Sequence, residues 1–317
     1  MKVLVTGGAG FIGSHVVDRL VATGVETRVL VSGFRSVKHP SILNDDAIAF
    51  KGDLLDFQSL LKATEGVNMV IHLASILSHY YEVYPQLAID VNVKGTWNLK
   101  QACVENNVEQ IFFASSSFVY GEPNSSPISE ECPVNPKDLF GLTKYAGEKI
   151  VQLLYSQRVT AKIPTSKVKY TVLRLFNVYG PRAYPDKLYT SVMSTWIPKA
   201  LKKESLEIHD DGTQSLDFIY VEDVADAFIA CLKEPKAANQ IFNVASGHAT
   251  SMNRLASLIN GITHNPSPPH YNKEHPAFLT HVEGNIRKIE TLVGWKPKVN
   301  LISGLKRTVQ FFKEMKT

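Results

Sequence analysis

The sequence predicts an α/β chain: a doubly wound parallel sheet with a smaller, interleaved α/β lobe. Three observations predict it. A β-branched run, Lys2-Val-Leu-Val-Thr6, leads into the glycine turn Gly7-Gly-Ala-Gly10-Phe-Ile-Gly13, which opens a helix. Short apolar strands then alternate with helical stretches, the pattern of parallel strands joined by crossover helices. Past about residue 178 the alternation loosens, and Pro181 and Pro185 mark a different packing region.

Each element follows in order. Ser14–Thr23 has helical spacing with Gly24 as its stop. The apolar runs Thr27–Val31, Ala47–Lys51, Met69–Leu73, Gln110–Ala114 and Lys169–Leu175 read as strands. Between them Gln58–Ala63, Ala88–Glu105 and Gly141–Leu154 carry helical periodicity. Further on come an apolar stretch at Trp196–Leu201, a turn at Asp210-Asp-Gly212, a helix at Val221–Leu232 and a strand at Gln240–Val244. The tail from Ser251 mixes helices with a Pro/His/Asn-rich stretch, Asn265–His275, that reads as a loop. The expected division is a sheet body of residues 1–177 and 215–244, and a lobe of residues 178–214 and 245–317. A crevice between them would hold a ligand.

Composition narrows the function classes. With 317 residues, 44% of them hydrophobic and 20% charged, the chain is long enough for a substantial core and ordinary for a soluble protein. A net charge of +4, spread along the chain apart from a cluster at Lys162–Lys169, is too weak to argue for nucleic acid. Cys103, Cys132 and Cys231 are far apart and lack metal spacing, so reduced structural thiols are expected and no metal. Neither a signal peptide nor a long apolar run is visible, which makes a cytoplasmic protein without a membrane span the expectation.

The glycine turn carries the first chemistry. Gly7, Gly10 and Gly13 sit between strand and helix, where a tight turn lets a phosphate approach bare backbone. The helix N-terminus supplies amide donors, from Phe11, Ile12 and Gly13, and a positive dipole end for a pyrophosphate. A dinucleotide is therefore expected. The acidic residue that grips the NAD ribose should lie about 20 positions on, but the second strand ends in Ser32-Gly-Phe-Arg35-Ser36. Ser32 and Arg35 could hold a 2′-phosphate, so NAD and NADP both stand. Arg35 reads equally as a solvated loop residue. Asp53, after the third strand, either meets the adenine ring or caps the following helix.

Several further runs fall in order over nearly the whole chain. They are His72-Leu-Ala-Ser75, Asn92-Val-Lys-Gly-Thr96, Ser115-Ser-Ser-Phe-Val-Tyr-Gly121 and Phe140-Gly-Leu-Thr-Lys144. Leu173-Arg-Leu-Phe-Asn-Val-Tyr-Gly-Pro-Arg182, Asp217-Phe-Ile-Tyr-Val-Glu-Asp223 and Gly294-Trp-Lys-Pro297 continue the series. With the glycine turn, the chain resembles the extended short-chain dehydrogenase/reductase superfamily, the sugar-nucleotide epimerases and dehydratases. The resemblance implies a Rossmann body, a nicotinamide coenzyme and a nucleotide-diphosphate sugar. It also implies coenzyme contacts at Leu54, Leu73 and Ala74, substrate contacts at Ser75, Ser117, Asn177, Val192, Arg182 and His275, and a homodimer built on helices near Ala88–Glu105 and Gly141–Leu154.

The family's chemistry needs a base for the proton of a ring hydroxyl. That base is a tyrosine, whose phenol is a poor base until a lysine one helical turn away favours phenolate. By similarity Lys144 is that lysine and also holds the nicotinamide ribose, Ser116 is the hydroxyl that orients the sugar oxygen, and the tyrosine position is Phe140. Phe140 thus reads as a Tyr-to-Phe replacement at the catalytic position. Ser117 and Phe118 stand where dehydratases carry Asp and Glu, and decarboxylases a Glu, so epimerisation is favoured by subtraction. Departures concern the diphosphate. Leu216 and His275 stand near the positions of two family arginines, whose paired donors fit phosphate. Three readings follow: a nucleotide-sugar 4-epimerase inactive or weakened by Phe140, an NADPH-dependent keto-sugar reductase, and a non-catalytic dinucleotide-binding relative.

Overall fold

The first strand, β1 (Lys2–Thr6), is buried over its last four residues and leads through the glycine turn into helix α1 (Phe11–Ala22). The protein is described by a computed structural model over residues 1–32, 42–77, 83–123, 125–156, 168–184, 191–274 and 281–315. Helix α1 begins at Phe11 rather than Ser14, because Gly10 serves as its N-cap. Next come β2 (Glu26–Val31), β3 (Ile48–Lys51), α2 (Phe57–Thr64) and β4 (Met69–His72). Asp56, not Asp53, caps α2, its carboxylate accepting from the Gln58 and Ser59 amides. The Asp53 carboxylate instead accepts from the Leu55 amide at 2.8 Å.

The stretch expected as one helix over Ala88–Glu105 is interrupted. Helix α3 (Pro85–Ile89) passes into a π-helical turn, Asp90–Gly95, before α4 (Thr96–Glu105). Strand β5 (Gln110–Ser116) is buried throughout, and a 3₁₀ turn, Ser117–Tyr120, ends it. Helix α5 (Leu139–Ser156), β6 (Lys169–Leu175) and the short β7 (Asn177–Tyr179) follow.

Downstream the elements are α6 (Val192–Leu201), β8 (Glu207–His209), β9 (Ser215–Tyr220), α7 (Val221–Lys233) and β10 (Gln240–Val244). They continue with β11 (Ala249–Ser251), α8 (Met252–Thr263), β12 (His270–Asn272), β13 (His281–Val282), α9 (Arg287–Val293) and α10 (Leu301–Glu314). The stretch read as a loop at 265–275 therefore contains a strand: β12 pairs in parallel with β8. A three-residue strand with two exposed residues leaves no period for a sequence reading to detect.

Seven strands form one parallel sheet in the order β10-β6-β5-β4-β1-β2-β3. The chain winds outward from β1 in one direction through β3, then returns to β4 and winds in the other. That reversal lies between β1 and β4, and ligands bind at the carboxyl ends of such strands. Two apolar clusters cover the faces, one centred on α1 and α7 and the other on α2, α4 and the β4–β6 strands. A second sheet joins β11, β9, β13 and β7, with its own core against α6, α8 and α10. Strand β9 pairs in this second sheet, although the division drawn from the sequence sets residues 215–244 with the body. The helix behind it, α7, packs on α1 of the main sheet.

Candidate active site

The glycine turn has the geometry of a backbone cradle. Gly7 holds φ at +73°, in the left-handed region that favours glycine, and a Cβ there would lie 2.6 Å from the Ala74 nitrogen. A Cβ on Gly13 would meet the Gly7 oxygen at 2.1 Å. The first turn of α1 has no side-chain cap and no acidic residue, which leaves its leading amides open to an anion. The cradle fits a dinucleotide pyrophosphate. Leu73 and Ala74 are brought against it: the Leu73 amide donates to the Thr6 carbonyl at 3.1 Å, and the Ala74 amide to Thr6 Oγ1 at 3.3 Å. Leu54 is buried, in contact range of Gly95, while Ser32, just after β2, is half-buried. Arg35 and His275 lie outside the described residues.

Ser116, Phe140 and Lys144 lie at the end of β5 and the start of α5, each between 5 and 9% exposed. The Lys144 ammonium donates to the Ala114 carbonyl at 2.8 Å and lies 5.8 Å from the centre of the Phe140 ring. Burial pushes its pKa down to about 7, against the pull of Glu148 one turn along. Ser116 Oγ accepts from the Phe118 amide at 3.3 Å. Phe118 and Phe140 pack edge to face, 5.8 Å between centroids and 78° between planes. An aromatic pair thus stands beside the lysine. Ser117, first in the 3₁₀ turn, is buried beside Ser116.

A hydrogen-bonded chain links this centre to the glycine turn. Thr96 Oγ1 donates to the Asn92 carbonyl at 2.6 Å, so its one proton is used. The imidazole of His72 must then donate from Nε2 to Thr96 Oγ1, at 2.9 Å, and accept at Nδ1 from Thr6 Oγ1, at 2.6 Å. Burial, with Lys144 nearby, pushes the His72 pKa down to about 3, which keeps this tautomer neutral. The Asn92 amide, in the π turn, donates to the Ile76 carbonyl and Thr143 Oγ1 and accepts from the Ile76 amide and Ser75 Oγ. Thr143 Oγ1 in turn donates to the Phe140 carbonyl at 2.9 Å. The hydroxyl of Ser75 is thereby engaged within the protein. Apart from Ser75, sequence reasoning gave these residues no role of their own; the bonds that join them across elements span 16–68 positions.

Other expected contacts are dispersed. Asn177 Nδ2 donates to the Asp217 carbonyl at 3.1 Å, tying β7 to β9. Asp217 is fully buried and gathers the amides of Ser246, Gly247 and Gly284 around its carboxylate. Val192 opens α6 behind the capping box of Ser191 and Ser194. Arg182 pairs with Asp18 of α1 at 2.7 Å, so its charge is met within the protein. Among the described residues no group of His, Cys, Asp and Glu could hold a metal, and no helix is long and apolar enough to cross a membrane.

Known proteins match this chain over nearly its whole length. The sequence model of the NAD dependent epimerase/dehydratase family matches residues 3–245. The chain belongs to the NAD-dependent epimerase/dehydratase family. It is 36% identical to a putative UDP-glucose 4-epimerase of Methanocaldococcus jannaschii, with 98% of each chain covered. Its fold superposes on the UDP-glucose 4-epimerase of Thermotoga maritima, solved with UDP-glucose, at a TM-score of 0.91 and 30% identity over 100% of both chains. The UDP-glucose 4-epimerase of Thermus thermophilus, solved with NAD, gives 0.85 at 29% identity over 99% of both. Membership brings the isomerase and oxidoreductase chemistry of epimerases and dehydratases into range, with a nicotinamide coenzyme.

Proposed function

We propose that this chain is a nucleotide-sugar 4-epimerase whose turnover is weakened by phenylalanine at the position of the catalytic base. The observation that supports the reading is the placement of Ser116 at the end of β5 and of Phe140 and Lys144 at the start of α5, with a ring but no hydroxyl at 140. NAD or NADP would lie with its pyrophosphate on Gly7–Gly13 and its nicotinamide ribose on Lys144. When bound, the coenzyme supplies a hydride acceptor that later returns the hydride.

The protein's own part is orientation and proton handling. Ser116 offers its hydroxyl to the reacting sugar oxygen, and the Lys144 charge favours an oxyanion beside it. Phe140 keeps the ring's volume but can neither take nor give a proton. The apolar Phe118–Phe140 wall supports a second reading, a relative that binds dinucleotide and sugar nucleotide without turning them over. Relatives that bind UDP-glucose make a uridine diphosphate sugar the first substrate to try.

The family resemblance also supports a homodimer, and the exposed Ile89, Trp97, Leu142 and Leu153 on α3, α4 and α5 supply apolar surface for it. Calorimetric titration with NAD, NADP and UDP-glucose tests the binding half of the proposal. The expected result is saturable binding of a dinucleotide and of UDP-glucose, with no steady consumption of NADPH on addition of a keto-sugar. Consumption in step with the keto-sugar would replace the epimerase by a reductase.

A further inference from the structure

Directly behind Ser116 and Lys144 lies a buried ion pair that the proposed chemistry does not use. Arg174, in β6, grips Glu148 with two bonds, Nε to Oε1 at 2.9 Å and Nη2 to Oε2 at 2.8 Å. Their side chains are 3% and 0% exposed. Ser115 Oγ donates to the same Oε1 at 2.5 Å. Such a pair is weak evidence for stability, because desolvating two charges offsets most of their attraction and apolar replacements often do as well. Its placement gives another reason for it.

Glu148 lies one helical turn beyond Lys144, and Ser115 precedes Ser116 and pairs in register with Arg174. Two bonds a turn apart therefore fasten α5 to the end of β5: Lys144 to the Ala114 carbonyl, and Ser115 to Glu148. Outward from the pair, Arg174 Nη1 donates to the Glu130 carbonyl at 3.4 Å, and the guanidinium stacks over Tyr120 at 4.8 Å. Tyr120 Oη donates to Asn243 Oδ1, and the Asn243 backbone N–H to Glu130 Oε1, each at 2.7 Å. The pair is thus shared by α5, β5, β6, β10 and the stretch after Tyr120.

We propose that Glu148, Arg174 and Ser115 are positioning residues, a buried clamp that sets the Lys144 ammonium relative to the Ser116 hydroxyl. The inference rests on the reading of Lys144 as the group that holds the nicotinamide ribose. Removing either charge alone would strand the other in a dry site and threaten the fold. The informative variant is the double one, Glu148→Leu with Arg174→Met, accompanied by Ser115→Ala, which keeps the ion pair and cuts only its tie to β5.

Each purified protein is titrated with NADH, followed by the emission of the bound nicotinamide, and separately with ADP, which engages the glycine turn but not Lys144. The clamp predicts that the double variant melts at or above the parent's temperature and keeps its ADP affinity within about two-fold. Its NADH affinity should fall about ten-fold, with the bound emission dimmed towards that of free NADH. Ser115→Ala should show a smaller loss in the same direction. Unchanged NADH affinity in the double variant overturns the proposal, as does parallel weakening of NADH and ADP, which marks a merely structural pair. If the double variant does not fold, unchanged NADH affinity in Ser115→Ala overturns it. A parent chain that binds neither NADH nor ADP overturns the nicotinamide reading itself, and the clamp with it.

Discussion

Single side chains in this site are set by their hydrogen-bonding capacity more than by their charge. His72 has one donor and one acceptor, and both are used, between Thr6 and Thr96. Unfolded, this imidazole takes up a proton near its ordinary value of 6.5, whereas burial holds it at about 3 in the fold. Between those limits the unfolded chain binds a proton that the folded chain refuses, so stability present above pH 6.5 drains away as pH falls towards 3. His72→Gln retains a donor and an acceptor without that proton. Urea unfolding at a series of pH values should show the parent losing roughly 2–5 kcal/mol more than the variant across this window. Equal losses would contradict the buried neutral tautomer. The histidine itself was visible in the sequence; its partners at positions 6 and 96 were not, because nothing in a linear pattern pairs a strand end with a π turn.

At the scale of elements, two glycines show opposite needs for the missing Cβ. Gly13 has the Gly7 oxygen 2.1 Å from where a Cβ would stand, whereas Gly261, on α8, has nothing within 4 Å. Gly13→Ala should therefore push the turn apart and weaken NADH binding by about ten-fold or more. Gly261→Ala should leave binding alone and stabilise the protein by up to about 1 kcal/mol, read from thermal unfolding. Elements with strong periodicity and a clear stop, such as β1, α1, β5 and α7, were legible in the sequence to within a few residues. The π turn at Asp90–Gly95 was not, since the Asn92 side chain within it bonds to Ile76 and Thr143, 16 and 51 positions away. Strands β7, β8, β11, β12 and β13, of two or three residues each, were invisible for lack of length.

For the whole molecule, the large parallel sheet was readable from the alternation of strands and helices. The second sheet was less so, because β9 leaves the main sheet while the helix after it stays with α1. Large apolar side chains left exposed on α3, α4 and α5 bear on assembly. Replacing Ile89 and Leu142 together by glutamate should convert a dimer to a monomer in sedimentation velocity while leaving dinucleotide binding in place. A parent chain that already sediments as a monomer would remove the dimer from the account.

The central claim is that turnover is limited by the hydroxyl that Phe140 lacks. Phe140→Tyr tests it most directly, with interconversion of UDP-glucose and its 4-epimer followed by proton NMR in the parent and the variant. The account predicts that turnover rises by about two to four orders of magnitude in the variant, the usual worth of a positioned acid–base group. Two equally slow proteins, both binding NAD and UDP-glucose, would contradict it and leave a protein that binds a sugar nucleotide without converting it.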